Sequence, residues 1–516
     1  MSVSRPLALL SGWLAAIPLA AAAGRAAPPP DAPVVRTALG EARGLRRADG
    51  SLAWYHLPYA APPVGERRWR PPAPASAWRG VRDARQPGVG CMQDARNGSL
   101  PTAAGVSEDC LYLNVFTRDA RPAARRPVMV WIHGGFFRVG SGADPAFDGA
   151  ALTREGVVLV TINYRLDRFG RFAHPALSAA QRDEPLGNYA LMDQVAALRW
   201  VRQNIARFGG DPRNVTIFGC SAGGVSVDFL MAAPEARGLF QRAIAQSGSI
   251  VPEGERRLRE PTARFPSSLE QDGLEVARHF GIAEDARTAE RLRALTPAQL
   301  LSYPQKDSSM NPVVDGRLVP EDPARAFAAG RQAPVPFMSG ATSWEASLIR
   351  PFQLPFPAVL VGMPRADVEA AYGIADEQQL KEAYFGDSVF FVSAWWLAGQ
   401  MGRVGQPGFL YRYAYVDEAQ RGRNPGAYHC SDTPRTFGTE WRGEPASPRD
   451  RETGDLLRRY WTQFAKAGDP NAPGLPPWPR HEVDAPAVLE IGESVAARRN
   501  PDPERMALQR RRFATP

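Results

Sequence analysis

Six short apolar runs, bounded by polar or turn-forming residues, set the rhythm of the chain. "PVMVWI" (127–132), "VVLVTI" (157–162) and "NVTIF" (214–218) are rich in β-branched residues. Continuous runs of this kind predict strands buried on both faces. "RAIAQS" (242–247), "VPFMSGA" (335–341) and "GFLYRYAY" (408–415) continue the series. Between the second and third runs, residues 188–209 place apolar side chains at helical spacing, with Gly209–Gly210 to stop them. A further helix is expected over 451–468, ended by Gly468 and Pro470. Strands alternating with helices predict an α/β fold, with a large, mostly parallel central sheet and helices on both faces. Residues 253–330 are polar and irregular, and read as a helical elaboration on that sheet.

Composition narrows this picture only at a few points. The chain has 516 residues, 44% hydrophobic and 22% charged, which is ordinary for a globular protein. The formal charge of +8 comes from arginine, since Lys306, Lys381 and Lys466 are the only lysines. The arginines are scattered rather than clustered, so no nucleic-acid partner is expected. At the N-terminus, Arg5 precedes the apolar stretch "PLALLSGWLAAIPLAAAA", which leads into small residues. That pattern predicts a signal peptide over 1–23, with the catalytic unit over 30–516 as one domain. The stretch holds Gly12 and Pro18 and is short for a bilayer span, and no later segment is apolar enough, so no membrane partner is expected after cleavage. The mature chain is expected to be secreted or periplasmic. Export makes disulfides natural, and Cys91, Cys110, Cys220 and Cys430 permit three pairings.

Chemistry concentrates at "TIFGCSAGG" (216–224). Gly219-x-Ser221-x-Gly223 follows an apolar strand and precedes the helix-like "AGGVSVDFLMAA", the context of a nucleophile elbow. Upstream, "WIHGGFF" (131–137) sets a glycine pair just after a strand, where acyl-transfer enzymes keep backbone donors for an oxyanion.

With these motifs the chain resembles the type-B carboxylesterases, the α/β-hydrolase family that includes cholinesterases and para-nitrobenzyl esterases. "SEDCLYLNVF", "NYRLDRFGRF", the long block 187–224 and "WTQFAKAGDPN" match family segments in the expected order, and the likeness covers nearly the whole mature chain. The resemblance implies a secreted serine carboxylic-ester hydrolase acting on a small-molecule ester through an acyl-enzyme, with no metal or organic cofactor. Ser221 is the implied nucleophile. His429 in "GAYHCSDTPRTFG" is the implied base, and Glu345 in "SWEASLI" the implied acid, with Asp432 its local rival. Backbone N–H groups of Gly135, Phe136 and Ala222 are the implied oxyanion donors. Glu108 and Asp193 resemble family carboxylates that pair with arginines, here Arg68 and Arg165.

The departures from the family also carry information. Ala346 follows Glu345 where glycine is usual, and Phe136 stands where the oxyanion strip usually has its third glycine. The Phe136 ring is expected to narrow the acyl side of the pocket. The segment between Cys91 and Cys110 has no tryptophan, which argues against a cation–π site for choline. Cys91 and Cys110 match the family's first disulfide, leaving Cys220 beside the nucleophile and Cys430 beside the base. A Ser–His contact would bring these two within bridging range. That "CS…HC" arrangement resembles tannases and fungal feruloyl esterases, and raises the alternative of an aryl or feruloyl ester substrate. Non-catalytic cholinesterase-like binding proteins form the other alternative, disfavoured here because Ser221, Glu345, His429 and the glycine pair are all retained.

Overall fold

The computed structural model describes residues 32–94, 102–250, 254–304, 310–360, 362–440, 444–499 and 501–513, so the expected leader over 1–23 lies outside the described residues. Eleven strands build the main sheet. In chain order they are β1 (Leu45–Arg46), β2 (Leu52–Pro58), β3 (Tyr112–Thr117) and β4 (Arg126–Ile132). Then follow β5 (Val158–Ile162), β6 (Gly210–Cys220), β7 (Arg242–Gln246) and β8 (Phe337–Thr342). The last are β9 (Gly408–Tyr413), β10 (Ala487–Ile491) and β11 (Val495–Arg499). Across the sheet they lie in the order β11-β10-β9-β8-β7-β6-β4-β5-β3-β2-β1.

All six expected strands are present, and they form the parallel centre from β5 through β4 and β6 to β9, which β10 extends. Both margins are antiparallel: β5–β3, β3–β2 and β2–β1 on one side, and the β10–β11 hairpin on the other. Side-chain alternation along a central strand explains why there are two cores. In β4, Val128, Val130 and Ile132 face one apolar cluster while Met129 and Trp131 face the other.

Helices cover each face. α1 (Tyr189–Asn204) and α2 (Ala222–Ala232) pack Leu191, Val225 and Phe229 into the first cluster. α3 (Glu377–Gly386) and α4 (Val392–Gln400) follow in sequence, and α5 (Pro448–Ala467) packs Leu457, Trp461 and Phe464 into the second cluster. α6 (Pro503–Arg510) is the last α-helix among the described residues. The helix expected over 188–209 keeps α geometry only to Asn204. A 3-10 turn (Ile205–Phe208) follows, and Gly209 ends it at φ 82°, a left-handed conformation that glycine adopts without steric cost. The helix expected to begin at 451 starts three residues earlier. Ser447 and Asp450 form a capping box there, with Pro448 in the first turn.

Candidate active site

β6 ends at Cys220 and α2 begins at Ala222, so Ser221 alone makes the turn. Its φ is 59° and ψ −124°, a strained conformation for a residue with a Cβ. Its N–H is held by the Gln246 carbonyl at 2.9 Å, at the end of neighbouring β7. The two glycines around it have no room for a side chain. A Cβ on Gly219 would lie 2.5 Å from the Ile132 carbonyl oxygen, and one on Gly223 only 2.0 Å from the same atom. The elbow therefore needs both glycines because it presses on the end of β4.

The strip that follows β4 lies against the elbow. A Cβ on Gly134 would stand 3.2 Å from the Ser221 Cβ. Gly135 turns at φ 107°, and Phe136 and Phe137 both hold left-handed conformations. The N–H groups of Gly135, Phe136 and Ala222 donate to no acceptor among the described residues. His133, just upstream, is buried and stacked on Tyr164 at 4.3 Å; burial pulls its imidazole down to about 4, so it is neutral at physiological pH.

Glu345 and His429 meet on the other side. His429 Nδ1 is hydrogen-bonded to Glu345 Oε2. Glu345 Oε1 accepts from the Ser247 hydroxyl at 2.6 Å and the Thr342 N–H at 2.7 Å. Burial opposes ionisation of Glu345, yet the imidazole and these donors hold its carboxyl below the usual glutamate range. The two loops are laced together: His429 N–H donates to Ser347 Oγ at 2.9 Å, and Trp344 N–H to the Ala427 carbonyl at 2.8 Å. Asp432, the local rival, has other hydrogen-bond partners. Its Oδ2 accepts from Gln246 at 2.9 Å and from the Tyr411 hydroxyl at 2.7 Å, so it braces the start of the following helix.

Cys220 and Cys430 are bridged, with Cα atoms 6.1 Å apart across 210 residues, and Cys91 is bridged to Cys110 with Cα atoms 4.9 Å apart. The first bridge joins the residue before Ser221 to the residue after His429. The buried Nε2 of His429 has no hydrogen-bond partner among the described residues. The elbow and the Glu–His pair are thus tied by a covalent link, while the Ser–His hydrogen bond itself is not made.

Of the two structural pairs read from the sequence, Arg165 clasps Asp193 at 2.8 and 2.7 Å, fully buried, and Arg68 Nε reaches Glu108 at 2.7 Å. Ser247, Thr342 and Ser347 are absent from the sequence reading, although they fix both carboxylate and imidazole. Their one sequence signal is position: Ser247 closes a strand run, and the other two flank Glu345. No group of His, Cys, Asp and Glu suited to a metal ion occurs among the described residues.

Residues 31–509 match the model of the Carboxylesterase family. The para-nitrobenzyl esterase of Bacillus subtilis (strain 168) is 33% identical over 495 residues, spanning 92% of this chain and 97% of its own length. A fumonisin B1 esterase of Sphingopyxis macrogoltabida is 34% identical over 468 residues, 86% of this chain and 83% of that protein. Among solved structures, a carboxylesterase of Geobacillus stearothermophilus superposes with a TM-score of 0.79 at 33% identity, covering 92% of this chain and 99% of that one.

Proposed function

The chain belongs to the carboxylesterase family and is a carboxylic-ester hydrolase, and from that premise we propose that it works through a Ser221–His429–Glu345 triad. His429 Nε2 takes the Ser221 proton as the hydroxyl attacks the ester carbonyl. The negative charge that develops on the carbonyl oxygen is received by the N–H groups of Gly135, Phe136 and Ala222. Glu345 holds Nδ1 protonated and stabilises the imidazolium. The alcohol leaves with the proton from His429; water, deprotonated by the same imidazole, then releases the acid and restores the serine.

One observation supports this reading above the others: Glu345 occupies Nδ1 while Nε2 is left without a partner, the state in which an imidazole can accept a proton. The Cys220–Cys430 bridge would keep the two halves in register. Small-molecule esters are the substrate class of the relatives, as the para-nitrobenzyl and fumonisin B1 esterases are named. For this chain an aryl or phenolic ester is the narrower reading, supported by the bridged cysteines beside serine and histidine. The domain assignment is a single catalytic domain over 30–516, exported behind a leader over 1–23, with the two bridges formed on export. Kinetics on p-nitrophenyl acyl esters against hydroxycinnamate esters test the substrate reading. A clear preference for the aryl acids supports it, and a preference for short aliphatic acids contradicts it.

A further inference from the structure

The helical path from Glu377 to Gln400 changes pitch once, at a π-turn over Asp387–Phe391 between α3 and α4. Such turns are rare and are frequent at functional sites. Here the turn delivers Phe390. The ring is 5% exposed, and its centroid lies 5.0 Å from that of the His429 imidazole, the planes inclined at 50°. The residue just before the turn lies beside the acid: a Cβ on Gly386 would stand 3.6 Å from the Glu345 Cβ. The imidazole therefore packs on the turn, and the acid lies next to its entry.

The turn is held from outside by the C-terminal segment. Arg512 donates to the Ser388 carbonyl, inside the turn, at 2.7 Å. The Tyr372 hydroxyl donates to buried Asp387 at 3.0 Å, and Gln509 donates to that same hydroxyl at 3.0 Å. Phe513 stacks on Trp396 of α4 at 4.8 Å. Three residues of the segment 503–513 thus clasp the π-turn and the helix leaving it.

We infer that Phe390 is a positioning residue for His429, and that the C-terminal segment keeps it in place by clasping the π-turn. The inference rests on His429 being the base. Glu345 fixes one ring nitrogen but leaves the imidazole free to swing about that hydrogen bond. A packed ring beside the imidazole removes the swing, so that Nε2 stays aimed at the elbow.

The test uses the full chain with Phe390→Ala, Phe390→Leu, Arg512→Ala and Arg512→Lys, assayed on p-nitrophenyl acetate with thermal midpoints measured alongside. Phe390→Ala should lower kcat about tenfold or more with KM nearly unchanged, since a misplacement of about 1 Å of a reacting group is costly. Phe390→Leu should recover part of the loss. Arg512→Ala, which touches no substrate, should lower kcat in the same way to a smaller extent, and Arg512→Lys should restore it. Three results overturn the inference: kcat unchanged in both alanine variants; KM raised at constant kcat in Phe390→Ala, which makes the ring a pocket wall; or losses that only track a fallen thermal midpoint. A His429→Ala control separates the two claims. If that variant keeps full turnover, the triad reading fails first.

Discussion

Glu345 and Asp228 are both buried carboxylates, and their surroundings give them opposite behaviour. Glu345 has two hydrogen-bond donors and an imidazole beside it, and its carboxyl sits below the usual range. A depressed folded-state value gives stability that is present above the unfolded value, about 4.3, and is lost as pH falls through the folded one. Asp228, in α2, is fully buried, neither oxygen has a hydrogen-bond partner among the described residues, and burial raises its carboxyl well above the ordinary range. Its sign is reversed: the folded state keeps the proton, so stability falls as pH rises above the unfolded value, about 3.9. Asp228→Asn removes that dependence. Its stabilising effect should therefore grow as pH rises from about 3.9 toward the raised folded-state value, by up to about 1.4 kcal/mol per pH unit. Thermal midpoints of both proteins across that range check it, and a pH-independent difference would refute it. Glu345→Gln keeps the shape but loses the charge. Turnover should fall about 10³- to 10⁴-fold, read from steady-state kinetics, because the neutral amide neither fixes the productive tautomer nor stabilises an imidazolium. Phe136→Gly should extend the acyl range toward bulkier acids, judged from kcat/KM for acetate through octanoate esters. An unchanged chain-length profile would mean that the ring points elsewhere.

At the scale of elements, the covalent tie between the end of β6 and the His429 loop stands out. It closes a loop of 210 residues, for which chain entropy gives about 5 kcal/mol, less any native-state strain. The double variant Cys220→Ala/Cys430→Ala should lower kcat more than it raises KM, because it frees the imidazole loop from the elbow. Reduction of the wild-type protein should act in the same way, and full activity in both would leave the bridge a purely structural role. The central strands were legible in the sequence because a strand buried on both faces is a continuous apolar run, as "PVMVWI" and "VVLVTI" are. The antiparallel margins were not. β11 reads "VAARR" and is largely exposed, and β1 has two residues, so neither carries an apolar signature. The π-turn escaped for another reason: "DSVFF" carries no sequence signal that separates a π-turn from the helices it joins.

Across the whole molecule, the site is made where separate stretches converge at one end of the parallel strands. Ser221 was legible in its own elbow motif, whereas Glu345 and His429 were named only through the resemblance of their segments to the family. What holds them was legible in neither way. Ser247, Ser347, Phe390 and Arg512 are distant in sequence from the groups they support, or carry no motif, and their roles exist only in the folded chain. The net charge of +8, spread over scattered arginines, adds nothing to the site. The central claim is that Ser221 is the nucleophile of this assembly, and labelling with a fluorophosphonate followed by peptide mapping tests it most directly. The account predicts a single stoichiometric adduct on the peptide containing Ser221. Both adduct and turnover should disappear in Ser221→Ala, with residual activity below about a thousandth of wild type. An adduct on another residue, or a Ser221→Ala protein that still hydrolyses esters at a comparable rate, would contradict it.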